Sequence, residues 1–228
     1  MDTLSRARRS RSRLAPLFAL TAILAVSACD DETNEPDPEL PSRTTLVPAS
    51  NSGYVEARTS QIVTDGSPPS YVFDEFNFDE DATISEVGWQ GIYCVQTDGA
   101  GAPAPTASSF TISIYADQAG RPNLAAPLHT STHPVAATGQ QFERTVSNLN
   151  CGTASNTTWP FYRYSVSLAT PFEAEAGTLY WLSIQATTPS YAVYFGWRDG
   201  TPDNNSSLQL FDGVYTPYGF DRAFSLEP

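Results

Sequence analysis

From Tyr71 onward, apolar and polar side chains alternate with a period of two, the spacing of a strand with one face against a core. The cleanest stretch sets Phe110, Ile112 and Ile114 against Thr111, Ser113 and Tyr115. In TISEVGWQGIYCV, Val87, Trp89, Tyr93 and Val95 share a face, and Gly88 and Gly91 point to a bulge or a close backbone approach. In YVFDEFNF, Val72, Phe76 and Phe78 have one parity and Tyr71 and Phe73 the other, so both faces should be partly covered. Tyr162, Tyr164, Val166 and Leu168 form a further face, as do Tyr180, Leu182 and Ile184. Weaker strands are expected at Leu128–Thr132 and Gln141–Val146; Tyr191–Trp197, Leu208–Phe211 and Ala223–Leu226 complete the set, and the entry, Thr44–Thr64, holds one or two short ones. Gly, Pro, Asp and Asn clusters separate these runs as turns. No window of eleven residues has helical periodicity. About ten strands and no helix predict an all-β domain over residues 44–228, a single antiparallel β-sandwich or a barrel.

The first 43 residues break this pattern. Five arginines lie within residues 1–13, an apolar run fills 14–26, and VSAC follows at Val26–Cys29. That order is the order of a secretory signal, and the apolar run is too short for a good spanning helix. The segment closely resembles a bacterial lipoprotein signal, whose lipobox is a branched apolar residue, two small residues and Cys. The resemblance implies removal of residues 1–28, acylation of Cys29 and anchoring to a lipid bilayer, each buried methylene adding about 0.8 kcal/mol. An ordinary secretory signal with an incidental Cys is the alternative. Residues 30–43 carry six acids and three prolines, so 29–43 is expected to be a lipidated Cys followed by a disordered acidic spacer. The expected location is the bacterial envelope, on its periplasmic or surface side.

Charge narrows the partners. The chain is formally −13, with twelve arginines and no lysine. Leaving out residues 1–28 removes five Arg and one acid, so seven Arg face 24 acids, a net of about −17. Nucleic acid is therefore an unsuitable partner, and lysine-based catalysis is impossible. With Cys29 assigned to lipid, Cys94 and Cys151 remain, and export favours a disulfide between them, closing a loop worth on the order of 4 kcal/mol.

Several motifs, DEF at Asp74–Phe76, ISEVGWQGIYC at Ile84–Cys94, FTISIYADQAGRP at Phe110–Pro122, AGTLYWLSI at Ala176–Ile184 and the closing AFSL, resemble an uncharacterised family of secreted bacterial β-sandwich modules. Those modules are similar to jelly-roll carbohydrate-binding domains, which implies a jelly-roll-like sandwich and no assigned activity. Aromatic faces stack on sugar rings, so Trp89, Trp159, Trp181 and Trp197 are the candidate ligand residues. Trp89 and Trp181 read as core, whereas Trp159, in a polar loop, and Trp197, before a turn, suit a site better. Asp74, Asp79, Asp81 and Asp117 are weak candidates for a structural Ca²⁺; no other cofactor is expected. His129 and His133, on a strand, would sit about 13 Å apart, too far to chelate together. No G-x-S-x-G or H-E-x-x-H occurs, and nothing pairs Glu75 with Glu86 as a glycosidase requires. The resulting expectation is a tethered, non-catalytic binding domain for a polysaccharide. The alternatives are an envelope component contacting proteins, and a glycan-active hydrolase.

Overall fold

A computed structural model describes residues 42–46, 56–95, 105–146, 159–204 and 206–228. The N-terminal segment with Cys29, most of the acidic spacer, and Cys151 lie outside the described residues. Everything described belongs to one unit, Glu39–Pro228.

The described residues are all-β. In chain order the strands are β1 (Arg43–Thr44), β2 (Ala57–Thr59), β3 (Gln61–Val63), β4 (Ser70–Phe76), β5 (Ala82–Val95), β6 (Ser109–Asp117), β7 (Pro122–Pro134), β8 (Gln141–Val146), β9 (Trp159–Ala174), β10 (Tyr180–Thr188), β11 (Val193–Arg198), β12 (Ser207–Phe211), β13 (Val214–Tyr218) and β14 (Phe224–Glu227). Among the described residues the one helical turn is a 3-10 turn, Val135–Ala137.

These strands make two seven-stranded sheets, an arrangement compatible with a β-sandwich. The first is centred on β5, which pairs along one edge with β9 and along the other with β14 and then β11. β8 extends it beyond β9, β2 beyond β11 and β1 beyond β14. The second runs β13-β12-β4-β3-β10-β6-β7, with β4 also pairing β10. Prolines fall in its edge strands, Pro217 in β13 and Pro127 in β7, where a missing N–H breaks no ladder.

The alternation read from the sequence selects the core. Val87, Trp89 and Tyr93 from β5, Tyr164 and Val166 from β9, and Phe195 and Trp197 from β11 meet Val72 and Phe76 of β4, Phe110, Ile112 and Ile114 of β6, and Leu182 and Ile184 of β10. Phe110 joins the layers: its ring centroid lies 5.1 Å from Trp89, 4.8 Å from Tyr164 and 5.0 Å from Phe195. Gly91 makes this packing possible. A Cβ there would strike the Phe195 ring, so the close approach expected of this glycine is real. The bulge lies earlier, between Ile84 and Glu86.

Three features differ from expectation. The strands number fourteen among the described residues rather than about ten, because the entry supplies three short ones and β13 was not foreseen. β13 follows a tight turn in which Asp212 and Gly213 both have positive φ, 48° and 76°. The pairing is also not wholly antiparallel: β3 runs parallel to β10, with Ala186 opposite Gln61.

Candidate functional site

Each sheet buries a second, smaller cluster on the face turned away from the core. On the second sheet, Phe73, Tyr115 and Trp181 are buried together, with Tyr71, Leu208, Leu210 and Tyr215 packed around them. Register explains the grouping. Phe73 lies opposite Leu208 and Ser183, and Trp181 lies between Glu75 and Tyr115. The odd parity of β4 that the sequence left on its second face is thus covered by neighbouring strands.

Phe73 is the hub. Its ring centroid is 6.2 Å from Tyr71 in a stacked arrangement, 5.8 Å from Tyr115 edge-on, and 6.3 Å from Tyr215. Tyr71 and Tyr215 stay half-exposed, and the Arg121 guanidinium sits 5.0 Å from the Tyr215 centroid. The Trp181 indole is 1% exposed and donates its N–H to Asp117 Oδ1 at 2.8 Å, which fixes the ring under its neighbours. Burial raises the Tyr115 and Tyr215 hydroxyl pKa values and that of the Glu75 carboxyl. Tyr115 and Tyr215 therefore keep neutral hydroxyls at neutral pH, each able to donate and to accept. The face is a tyrosine-edged apolar platform with polar side chains (Glu75, Asp117, Arg121) at its margin.

The four tryptophans fall differently from the sequence expectation. Trp159 and Trp197 are 0% exposed, so neither offers a ring face in a loop. Trp159 begins β9 and packs with Ile92, Cys94, Phe161 and Tyr194 on the outward face of the first sheet. Trp197 lies in β11 and donates to the Ala223 carbonyl at 2.9 Å from within the core. Trp89 is core, as read. Trp181, read as core, is the one tryptophan on the candidate face. A turn-like flanking sequence at 159 and 197 hid that both positions continue strand alternation.

The four aspartates do not come together as a cation site. Asp74 is buried and accepts from the Arg222 backbone N–H, and burial raises its pKa well above the usual range. Arg222, itself buried, pairs with Asp199 at 2.7 Å. Asp79 is exposed, and Asp81 accepts from Ala176 N at 2.8 Å. Asp117 serves Trp181 and the Gly120 N–H. Among the described residues, no three His, Cys, Asp or Glu side chains are grouped to hold a metal. Glu75 and Glu86 lie in different sheets, so they form no hydrolytic pair. His129 and His133 lean together more than their backbone separation suggests, since both Nε2 atoms reach Ser131 Oγ, at 3.3 and 3.0 Å.

Cys94 is buried and is not a free thiol. Its expected partner Cys151, like Cys29, lies outside the described residues. Among the described residues no helix is long and apolar enough to cross a membrane.

No curated protein matches the chain. A family model described as "Domain of unknown function (DUF7901)" matches residues 47–213, which spans the platform strands as far as the β12–β13 turn. With nearly three quarters of its length matched, the chain belongs to the family described as Domain of unknown function (DUF7901).

Proposed function

We propose that this is a lipid-anchored, extracytoplasmic binding protein, and that the outward face of its second sheet takes a polysaccharide. The observation that carries the reading is the cluster of Tyr71, Tyr115 and Tyr215 about Phe73, with Trp181 held beneath by Asp117. Aromatic rings match the apolar faces of sugars, and neutral tyrosine hydroxyls with flanking Glu75, Asp117 and Arg121 supply hydrogen bonds to the ring substituents. The jelly-roll relationship, the cleavage before Cys29, its acylation, the attachment to an envelope membrane and the Cys94–Cys151 bridge belong to the same proposal. VSAC supports the anchor, and the engaged state of Cys94 supports the bridge.

The test is retention of the purified protein by a panel of neutral and acidic polysaccharides in affinity electrophoresis. Slowed migration in at least one is expected; unchanged migration in all would end the reading. An envelope component contacting proteins is the second reading, and its own observation is the apolar β12–β13 tip, where Phe211 and Val214 are exposed. Co-purification of a fixed protein partner, lost in Phe211→Ser, would favour it.

A further inference from the structure

We propose that His129 and His133, with Ser131 between them, form a two-imidazole site for a divalent transition metal, Cu²⁺ above Zn²⁺, on the edge strand β7. The chain has two histidines, and both converge on one atom: His129 Nε2 lies 3.3 Å and His133 Nε2 3.0 Å from Ser131 Oγ. The two nitrogens are therefore separated by at most the sum of those distances, about 6.3 Å, against about 13 Å along the backbone. Two imidazoles on one metal, each bound at about 2.0–2.1 Å, stand about 3–4 Å apart. The difference, at most about 3 Å, is shared between two rings that swing about their side-chain torsions.

Strand geometry places the trio. The period of two puts His129, Ser131 and His133 on one face of β7, opposite Ile114, Ile112 and Phe110 of β6. Thr130 and Thr132, on the other face, bond to Ser113 and Thr111 at 3.2 and 3.1 Å and hold the strand in register. β7 is the last strand of its sheet, and all three residues of the histidine face stay half-exposed, so solvent reaches them directly. Phe172 of β9 walls one side, its ring centroid 6.5 Å from that of His129. Burial lowers the pKa of both histidines, which keeps them in the neutral form that binds metal. The Ser131 hydroxyl has one proton to donate, so one Nε2 already aims its lone pair at the shared point; the other exposes its own by carrying its proton on Nδ1. Among the described residues no third His, Cys, Asp or Glu joins them, so Ser131 Oγ and water fill the remaining positions. Imidazole nitrogen suits Cu²⁺ and Zn²⁺, with Cu²⁺ the tighter, whereas Ca²⁺ and Mg²⁺ take oxygen ligands.

This site is independent of the tyrosine platform, so either can fail without the other. The experiment is a calorimetric titration of the purified protein, carrying no histidine tag, with CuCl₂, ZnCl₂ and CaCl₂ in a non-coordinating buffer at pH 7.5. Electron paramagnetic resonance of the copper complex counts the nitrogen ligands. Saturable binding of one Cu²⁺ per chain is expected, with weaker Zn²⁺ binding in competition with it and nitrogen couplings from two imidazoles. His129→Ala and His133→Ala should each weaken Cu²⁺ binding at least tenfold. Where an alanine variant fails to fold, the corresponding glutamine variant takes its place. Excess Ca²⁺ should not displace Cu²⁺, because the acidic surface is not what holds it. The proposal is overturned by no saturable Cu²⁺ binding to the wild type, by fewer than two imidazole nitrogens on the bound copper, by unaltered affinity in either folded single variant, or by displacement with Ca²⁺.

Discussion

Replacing Gly91 by alanine tests the packing of the two layers at its tightest point. Gly91 lies on the inward face of β5 between Trp89 and Tyr93, and the Phe195 ring occupies the volume that a Cβ would need. Phe195 cannot move freely, because it is fully buried and makes ring contacts with Tyr93 at 5.7 Å, Phe110 at 5.0 Å and Tyr164 at 6.2 Å. Forcing a methyl group into such a core costs about 1–3 kcal/mol. For a domain of this size each kcal/mol moves Tm by about 2–4 °C, so the drop should be about 2–12 °C. Gly219→Ala is the control: nothing lies within 4 Å of its Cβ, and removing chain freedom there should leave Tm unchanged or slightly raised. Differential scanning calorimetry reads both. A shared cause also predicts rescue, so that Gly91→Ala with Phe195→Leu should be more stable than the two separate losses imply, by about 0.5–3 kcal/mol of coupling. A Gly91→Ala protein melting with the wild type would refute the interleaved core.

Other outcomes follow from buried polar groups. Burial raises the pKa of Asp74, Asp199 and Glu75, so between about pH 4 and those raised values the folded chain holds protons that the unfolded chain has released. The lowered pKa values of His129 and His133 act the opposite way below about pH 6.5, so the carboxyl effect is read as a difference: the Tm of the wild type relative to Asp74→Asn should rise as pH falls from 7.5 to 5, and a steady fall of that difference would contradict the assignment. Asp117→Ala leaves the Trp181 N–H buried without an acceptor, at a cost of about 1–3 kcal/mol, whereas Asp117→Asn keeps an oxygen and should cost less; equal melting of the two variants would show the bond to be immaterial. Mass spectrometry of the mature protein should find an acylated N-terminal Cys29 and a gain of two hydrogens on reduction. An unmodified Cys29, or no change with reductant, would remove the anchor or the bridge respectively.

Strand positions were legible because alternation is a local property. Phe110, Ile112 and Ile114 all face inward, as do Tyr180, Leu182 and Ile184. β13 was missed because Pro217 interrupts it, although Asp212-Gly213 before it is a strong hairpin signal. Parity separates the two sides of a strand but does not say what lies over each. The two faces of β4 were therefore readable, while the gathering of Tyr71, Tyr115, Trp181 and Tyr215 from four strands about Phe73 was not. Hydrogen bonds to carboxylates across long stretches of sequence are hidden for the same reason. Asp74 meets the Arg222 N–H across 148 positions, and Glu143 joins Gln90 across 53. Tryptophan burial was misjudged at 159 and 197 because proline and turn residues nearby suggested loops, whereas both rings continue the alternation of β9 and β11.

The most direct test of the central claim compares the wild type with a Tyr71→Ala, Tyr215→Ala double variant on whichever polysaccharide retains the wild type. Both side chains are half-exposed at the rim of the Phe73 cluster, so their loss should leave folding largely intact. The account predicts at least a tenfold loss of affinity with little change in Tm, since each stacked ring contributes on the order of 1 kcal/mol. Equal retention of the two proteins would show that the outward face of the second sheet is not where the ligand binds.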